Sequence, residues 1–444
     1  MDHPTAVSPE TLTRVRDAVA HQLPDFLGDL ERLVAIDSGS YTKAGVDEVG
    51  RWVAEALRGL GAAVEIHPET ELGDTVVGRL EGPGRGRVLV IAHLDTVFDP
   101  GTAAVRPFRI EEGRVLGPGV CDMKAGLLVG LHALRALRSV GLHGDGSGKG
   151  SSGEGSPGEA DARRGASAER RSADGPAYLP WLPVARLTFV ANPDEEIGSP
   201  VSTPVIRALA ADHDVALVLE SARANGDIVS ARKGNLSLRV VVHGRAAHAG
   251  VEPEKGRNAI LEAAHKTVAL QALNGRWPGV TCNVGVFRGG TRPNVVADEA
   301  ILEVDLRSPS RAGLESAEAA VHEIAAMRVV PDTTCDVIEA GRHWPMERLP
   351  ETGELVDAAV AIANALGFGL RDASTGGASD ANTTAGEGVP SLDGLGPIGG
   401  LDHSPAEYIE VDSIVDRTAL FAGLLVALGG DQRRNDRPQL SQTA

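Results

Sequence analysis

Three apolar runs in the first half of the chain each end in a side chain able to hold a metal ion. Val88-Leu-Val-Ile-Ala runs into His93, with Asp95 two residues on. Leu187-Thr-Phe-Val-Ala-Asn leads to Asp194, Glu195 and Glu196, and Val215-Ala-Leu-Val-Leu ends at Glu220. Short continuous apolar runs suit strands buried on both faces, and in open α/β sheets sites form at the carboxyl ends of such strands. Two more candidates lie in loops: Asp122 after Gly117-Pro-Gly-Val-Cys, and His403 in Gly399-Gly-Leu-Asp-His-Ser-Pro. Singly, each has a plainer reading. A loop histidine is usually just solvated, Asp122 could be a helix N-cap, and Glu195 with Glu196 could be a solvated turn. Together they are harder to dismiss. Adjacent carboxylates at the end of a buried strand repel each other unless a cation compensates, and imidazole with carboxylates suits zinc or a similar ion.

The elements that must position these groups follow from periodicity. At 444 residues the chain exceeds what one hydrophobic core usually supports, so about two domains are expected. Helical spacing at Val53 to Leu60, strand patterns at Ala63 to Ile66 and Thr75 to Leu80, the buried runs above and a long apolar helix from Met123 to Val140 predict an α/β domain with a mainly parallel sheet. Residues 143–180 are rich in Gly, Ser and charge with almost no large apolar side chain, and are expected to form a disordered insertion in the first catalytic segment, 1–230. From Asn235 the pattern alternates: strands at Leu236 to Val242, Cys282 to Phe287, Ala300 to Leu306 and Thr334 to Ile338, with helices at Ala259 to Leu273 and Leu314 to Met327. That β-α-β-β-α-β order describes an inserted α+β, ferredoxin-like lid or dimerisation domain at 231–340. The catalytic domain is expected to resume over 341–430, with a flexible tail at 431–444.

Composition narrows the function classes. With 43 Lys plus Arg against 61 Asp plus Glu, the net charge of -18 disfavours nucleic acid and anionic membranes as partners. The apolar runs are too short to span a bilayer, and Met1 to Leu30 has no basic stretch followed by an apolar run, so no signal peptide is expected. Cys121, Cys282 and Cys335 are widely spaced and suggest neither a disulfide framework nor a cysteine zinc site, which fits a cytoplasmic protein.

Five segments occurring in order carry a resemblance: Ala92-His-Leu-Asp-Thr-Val, Gly117-Pro-Gly-Val-Cys-Asp-Met-Lys-Ala-Gly, Asn192-Pro-Asp-Glu-Glu-Ile-Gly-Ser, Gly244-Arg-Ala-Ala-His-Ala-Gly and Leu401-Asp-His-Ser. The chain resembles the dinuclear zinc metallopeptidases that include glutamate carboxypeptidase, acetylornithine deacetylase, succinyl-diaminopimelate desuccinylase and aminoacylase. Glu220, where many relatives carry Asp, makes it look nearer the glutamate carboxypeptidase and aminoacylase branches.

The resemblance implies roles. His93, Asp122 and Glu220 would hold one Zn2+, and Asp122, Glu196 and His403 the other, with Co2+ or Mn2+ as substitutes. Asp95 would orient His93, and Glu195 would be the general base. His248 would reach the substrate carbonyl from a partner subunit of a homodimer. Asn294, Arg307 and the loop at Gly376 and Gly377 would bind a small molecule or short peptide with a free carboxylate, Arg307 and Asn294 gripping that carboxylate together. The implied reaction is hydrolysis of an amide next to a carboxylate, by a carboxypeptidase or an N-acyl amino acid amidohydrolase. A catalytically inactive relative that only binds such ligands is the alternative, and the presence of Glu195 speaks against it.

Overall fold

The computed structural model describes residues 7–141 and 178–430. The insertion expected at 143–180 lies almost wholly outside them, and the tail at 431–444 wholly so. In chain order the helices are α1 (Pro9–His21), α2 (Leu23–Val34), α3 (Lys43–Gly59), α4 (Thr102–Val105), α5 (Ala125–Val140), α6 (Thr203–Ala210), α7 (Ala259–Gln271), α8 (Arg311–Ala326), α9 (Pro350–Leu366), α10 (Asp380–Gly386) and α11 (Val411–Gly430). The strands are β1 (Ala63–His67), β2 (Thr75–Glu81), β3 (Arg85–His93), β4 (Arg109–Glu111), β5 (Arg114–Leu116), β6 (Val184–Asn192), β7 (Val215–Val218), β8 (Ile228–Arg232), β9 (Gly234–His243), β10 (Thr281–Gly289), β11 (Glu299–Ser308), β12 (Thr334–His343), β13 (Asp372–Thr375), β14 (Ser391–Leu392), β15 (Gly399–Gly400) and β16 (Tyr408–Glu410).

These elements form two compact units, one of 1–228, 354–371 and 392–444, the other of 229–353 and 372–391. The first is built on a sheet of order β1-β2-β6-β3-β7-β14. Its centre is parallel, β3 pairing in parallel with β6 and β7, while β1 and β2 add an antiparallel edge. Val88 to Ala92 have no exposed surface, as expected of a central strand covered on both faces. Helices α5 and α11 pack on each other and against β3, and α3 covers β1 and β2. The apolar helix begins two residues later than its pattern suggests, because Val120 to Lys124 form a separate irregular turn that presents Asp122. A small sheet of order β15-β16-β5-β4, which periodicity did not reveal because its strands have two or three residues each, stands beside that turn.

The second unit contains an antiparallel sheet of order β10-β11-β9-β12, the ferredoxin-like arrangement, with α7 and α8 packed on it. Along β11 buried and more open residues alternate strictly, so the even-numbered side chains enter the core with α7 and α8. The boundaries differ from 231–340 and 341–430. β12 stays paired with β9 as far as His343, so the chain does not leave the sheet at Ala340. Residues 372–391 also group with this unit, since β13 pairs with β8 and the Asn382 amide bonds the Lys233 and Trp344 carbonyls.

Arg417 shows what holds the first unit's centre. Its guanidinium is buried within α11 and donates to the carbonyls of Gly396 (3.0 Å), Gly226 (3.1 Å) and Gly394. Burial pulls its pKa down to about 10, so it stays charged at neutral pH. Arg417→Met would strip these carbonyls of their donor and should lower the unfolding free energy by ~3 kcal/mol or more. Denaturant unfolding measures this, and an unchanged midpoint would contradict it.

Candidate active site

Parallel pairing gathers the strand ends. β3 and β6 place His93 opposite Asn192, and β3 and β7 place Ile91 opposite Val218. Two residues on, His93 and Glu220 therefore emerge at the same sheet edge, where the chain after Asn192 turns into Glu195 and Glu196. A Cβ on Gly126 would fall 1.8 Å from the Leu219 carbonyl oxygen, so α5 can approach this edge only with glycine there.

Asp95, fully buried, ties the strand ends together. Its carboxylate accepts the Ser40 hydroxyl at 2.6 Å and the backbone N–H groups of Glu195 and Glu196 at 3.2 Å each. His93 Nδ1 lies 3.0 Å from the Asp95 carbonyl and 3.3 Å from its carboxylate. That contact assigns the ring proton to Nδ1 and turns Nε2 toward the site.

Asp122 stands between the two imidazoles. Its Oδ1 is 2.8 Å from His93 Nε2 and its Oδ2 is 3.1 Å from His403 Nε2. His93 Nε2 is also 3.7 Å from Glu220, and His403 Nε2 is 3.1 Å from Glu196. The structure thus brings all five sequence-derived ligand candidates together. Donor atoms of His93, Asp122 and Glu196 lie within 4.8 Å of one another, as do those of His93, Glu195 and Glu220. Asp194, in the same acidic run, turns to the backbone N–H groups of Val201 (2.6 Å) and Ser202 (3.3 Å) and serves the loop.

The charges do not balance internally. Burial drives the Glu220 carboxyl well up, and the Asp122 charge pushes the same way. Burial also raises Glu196, against the pull of His403. For His93 burial acts downward, yet the bonds to Asp122 and Asp95 hold it well above the usual imidazole range. His403 is raised to about 10 by its bonds to Asp122 and Glu196. Asp122 resists burial and is held well below the carboxylate range by the two imidazoles. Glu196 Oε1 is buried and has no hydrogen-bond partner among the described residues. Two imidazole nitrogens and three carboxylates, one of them with a spare buried oxygen, are a donor set that fits a pair of divalent cations.

Sequence reasoning missed several supporting groups. Ser40 is one. Lys124, buried beside the Asp122 turn, donates to the Leu33 and Ile36 carbonyls at 2.9 Å each, and burial lowers its pKa to about 8. Glu407 accepts three backbone N–H groups of the same turn, and burial raises it to about 7. A single Ser, Lys or Glu in a loop carries no periodic signal; the resemblance to His403's segment stopped at Ser404.

The candidate substrate residues belong to the second unit and fall into two groups. Arg307 donates to Asp305 at 3.0 Å and to the Gly376 carbonyl at 3.2 Å, and buried Arg232 donates to the Gly377 carbonyl at 3.1 Å. His248 and Asn294 are exposed on neighbouring loops, where Ala249 N–H donates to the Asn294 carbonyl at 3.0 Å and His248 bridges to Val295. Asn294 precedes the start of β11 at Glu299, and Arg307 follows that start by eight residues. At about 3.3 Å per residue this puts roughly 26 Å of strand between the groups. Arg307 and Asn294 of one chain therefore do not meet on one carboxylate.

Residues 89–147 match the model of peptidase family M20/M25/M40, and 230–333 match the peptidase dimerisation domain of M20 enzymes. Both matched segments are domains of M20 peptidases. It is 29% identical over 434 residues to carboxypeptidase G2 of Pseudomonas sp. (strain RS-16), covering 95% of each chain. It is 28% identical over 326 residues to acetylornithine deacetylase of Proteus mirabilis, covering 69% of this chain and 72% of the relative. In fold it is similar to aminopeptidase PepT from Bacillus cereus, with a TM-score of 0.70 at 23% identity over 91% of this chain and 98% of that one. These matches indicate a metal-dependent hydrolase. No helix among the described residues is long and apolar enough to cross a membrane.

Metal uptake should displace protons. His403 is protonated up to about pH 10 in the metal-free protein, and a ligand imidazole must be neutral, so affinity should rise with pH through the neutral range. Calorimetric titration of the chelator-treated protein with zinc, in buffers of different ionisation enthalpy, should show about two ions bound per chain and net proton release. Uptake without proton release would contradict this assignment of ligands.

Proposed function

We propose that this protein hydrolyses the amide bond of an N-acyl amino acid or short peptide next to a free carboxylate, using two zinc ions. The observation that carries the reading is Asp122, whose two oxygens each face a different imidazole. His93, Asp122 and Glu220 would hold one ion, and Asp122, Glu196 and His403 the other. When bound, the ions supply Lewis-acid polarisation of the scissile carbonyl and lower the pKa of the attacking water. Glu195 follows from its place in the chain: its backbone is pinned to Asp95 and its carboxylate shares the space of His93 and Glu220. It takes the proton from the attacking water and returns it to the leaving nitrogen. Asp95 keeps His93 in the tautomer that offers Nε2. Carboxypeptidase and deacetylase relatives both leave the acyl group open, and a reducing cytoplasm suits the three free cysteines.

The separation along β11 supports a site completed by a second copy of the chain. Arg307 with the Gly376–Gly377 loop would anchor the substrate carboxylate from one subunit, while His248 and Asn294 of the other would donate to the developing oxyanion. The match to a dimerisation domain supports the same arrangement. So do the exposed Leu261 and Val268 on α7, which packs beside the edge strand β10.

Glu195→Gln should keep its metal content and fold while turnover of a cleaved N-acyl amino acid falls by about 10²–10⁴-fold. Lost metal would make Glu195 a ligand, and near-normal turnover would remove it from the mechanism. Mixing inactive His248→Ala with inactive Glu195→Gln tests the shared site. Exchanged dimers should regain activity in one of their two sites, and no recovery despite verified exchange would mean that each chain builds its own.

A further inference from the structure

His403 and Asp122 come from segments 281 positions apart, and neither is in a regular element. What holds them at a fixed spacing is therefore a question of loop anchorage. The antiparallel pairing of β16 with β5 sets Tyr408 opposite Leu116. That register brings the residue before Tyr408, Glu407, against the turn that follows Leu116. Glu407 is 1% exposed. Its Oε2 accepts the Gly119 N–H at 3.0 Å, and its Oε1 accepts the N–H groups of Cys121 at 2.8 Å and Asp122 at 3.1 Å. Its carboxylate partners among the described residues are thus three backbone donors of the Asp122 turn. A buried carboxylate bonded in this way is costly to desolvate, and it persists only where its bonds are well made.

The same residue closes the His403 loop. Glu407 N–H donates to the Ser404 carbonyl at 3.3 Å, Ser404 N–H and hydroxyl both return to the Leu401 carbonyl, and Arg106 donates to Ser404 at 3.0 Å. Leu401 and His403 both have φ of 60°, a left-handed backbone that L residues with side chains avoid. Such a conformation holds only where its surroundings impose it.

We propose that Glu407 is a positioning residue that sets the distance between the Asp122 turn and the His403 loop before metal binds. It rests on the ligand assignment made above and adds a residue that touches neither substrate nor ion. Ordering two loops in advance removes part of the entropic cost of forming the site, and partners that orient ligands typically contribute about 10–100-fold to metal affinity. The effect is uneven. The ion assigned to Asp122, Glu196 and His403 depends on both anchored loops, whereas the other keeps His93 and Glu220, which the sheet holds independently.

The test uses full-length Glu407→Gln, which keeps the shape but offers an NH2 group where one oxygen met a backbone N–H, and Glu407→Asp, which keeps the charge but shortens the reach. Zinc affinity is measured by competition with a chromophoric chelator, alongside melting of the metal-free protein. The expected result is two ions per chain in the wild type, with the ion assigned to Asp122, Glu196 and His403 bound about 10–100-fold more weakly in Glu407→Gln, and the other, which shares only Asp122 with the anchored loops, weakened less. Glu407→Asp should fall between the two. Unchanged affinity at both sites in folded variants would overturn the positioning role, including the case where melting alone is lowered. A wild type that binds no pair of ions would instead sink the ligand assignment itself.

Discussion

Four carboxylates, those of Asp122, Glu195, Glu196 and Glu220, crowd two imidazoles at the edge of a buried sheet. Imidazolium protons can offset part of that charge, and the bonds to Asp122 and Glu196 raise His403 in that direction. They do not satisfy the geometry as well, since no described residue bonds a buried oxygen of Glu196. Divalent cations would meet both demands, charge and coordination, and the surrounding structure would serve as their container.

That container is rigid for reasons found outside the ligands. Three parallel strands deliver their ends at one level because hydrogen-bond register fixes them. Asp95 then joins the end of β3 to the Glu195–Glu196 turn through two backbone N–H groups and the Ser40 hydroxyl. The remaining candidate ligands, Asp122 and His403, lie on irregular backbone, which Lys124 and Glu407 anchor with a buried ammonium and a buried carboxylate. Where regular structure ends, charge-assisted bonds to the backbone take over the positioning.

In the second unit the constraint is length. A strand of ten residues keeps its two ends apart whatever the side chains prefer, so polar groups at its opposite ends do not meet on one small ligand within a chain. Arg232 and Arg307 both spend a guanidinium bond on the Gly376–Gly377 loop, which shapes that end of the sheet before any substrate arrives.

Much of this could be read from the sequence, for a physical reason. Burial on both faces writes itself as unbroken apolar runs, and alternation writes a half-open sheet, so the α/β unit, the ferredoxin-like order and the edge where His93, Glu195, Glu196 and Glu220 emerge were accessible from local pattern. Asp122 and His403 stood out by residue type alone, and their roles in one ligand set came from the resemblance, because a loop residue has no period. Tertiary structure alone decided which oxygen of Asp122 faces which imidazole, that residues 372–391 group with the second unit, and that Asn294 stands a strand's length from Arg307. It also decided that Ser40, Lys124 and Glu407 support the site. Those outcomes depend on strand register and on contacts between residues far apart in sequence, such as Glu407 with the Asp122 turn 285 positions away. No local pattern of residue types encodes such a contact; it exists only once the sheets have paired.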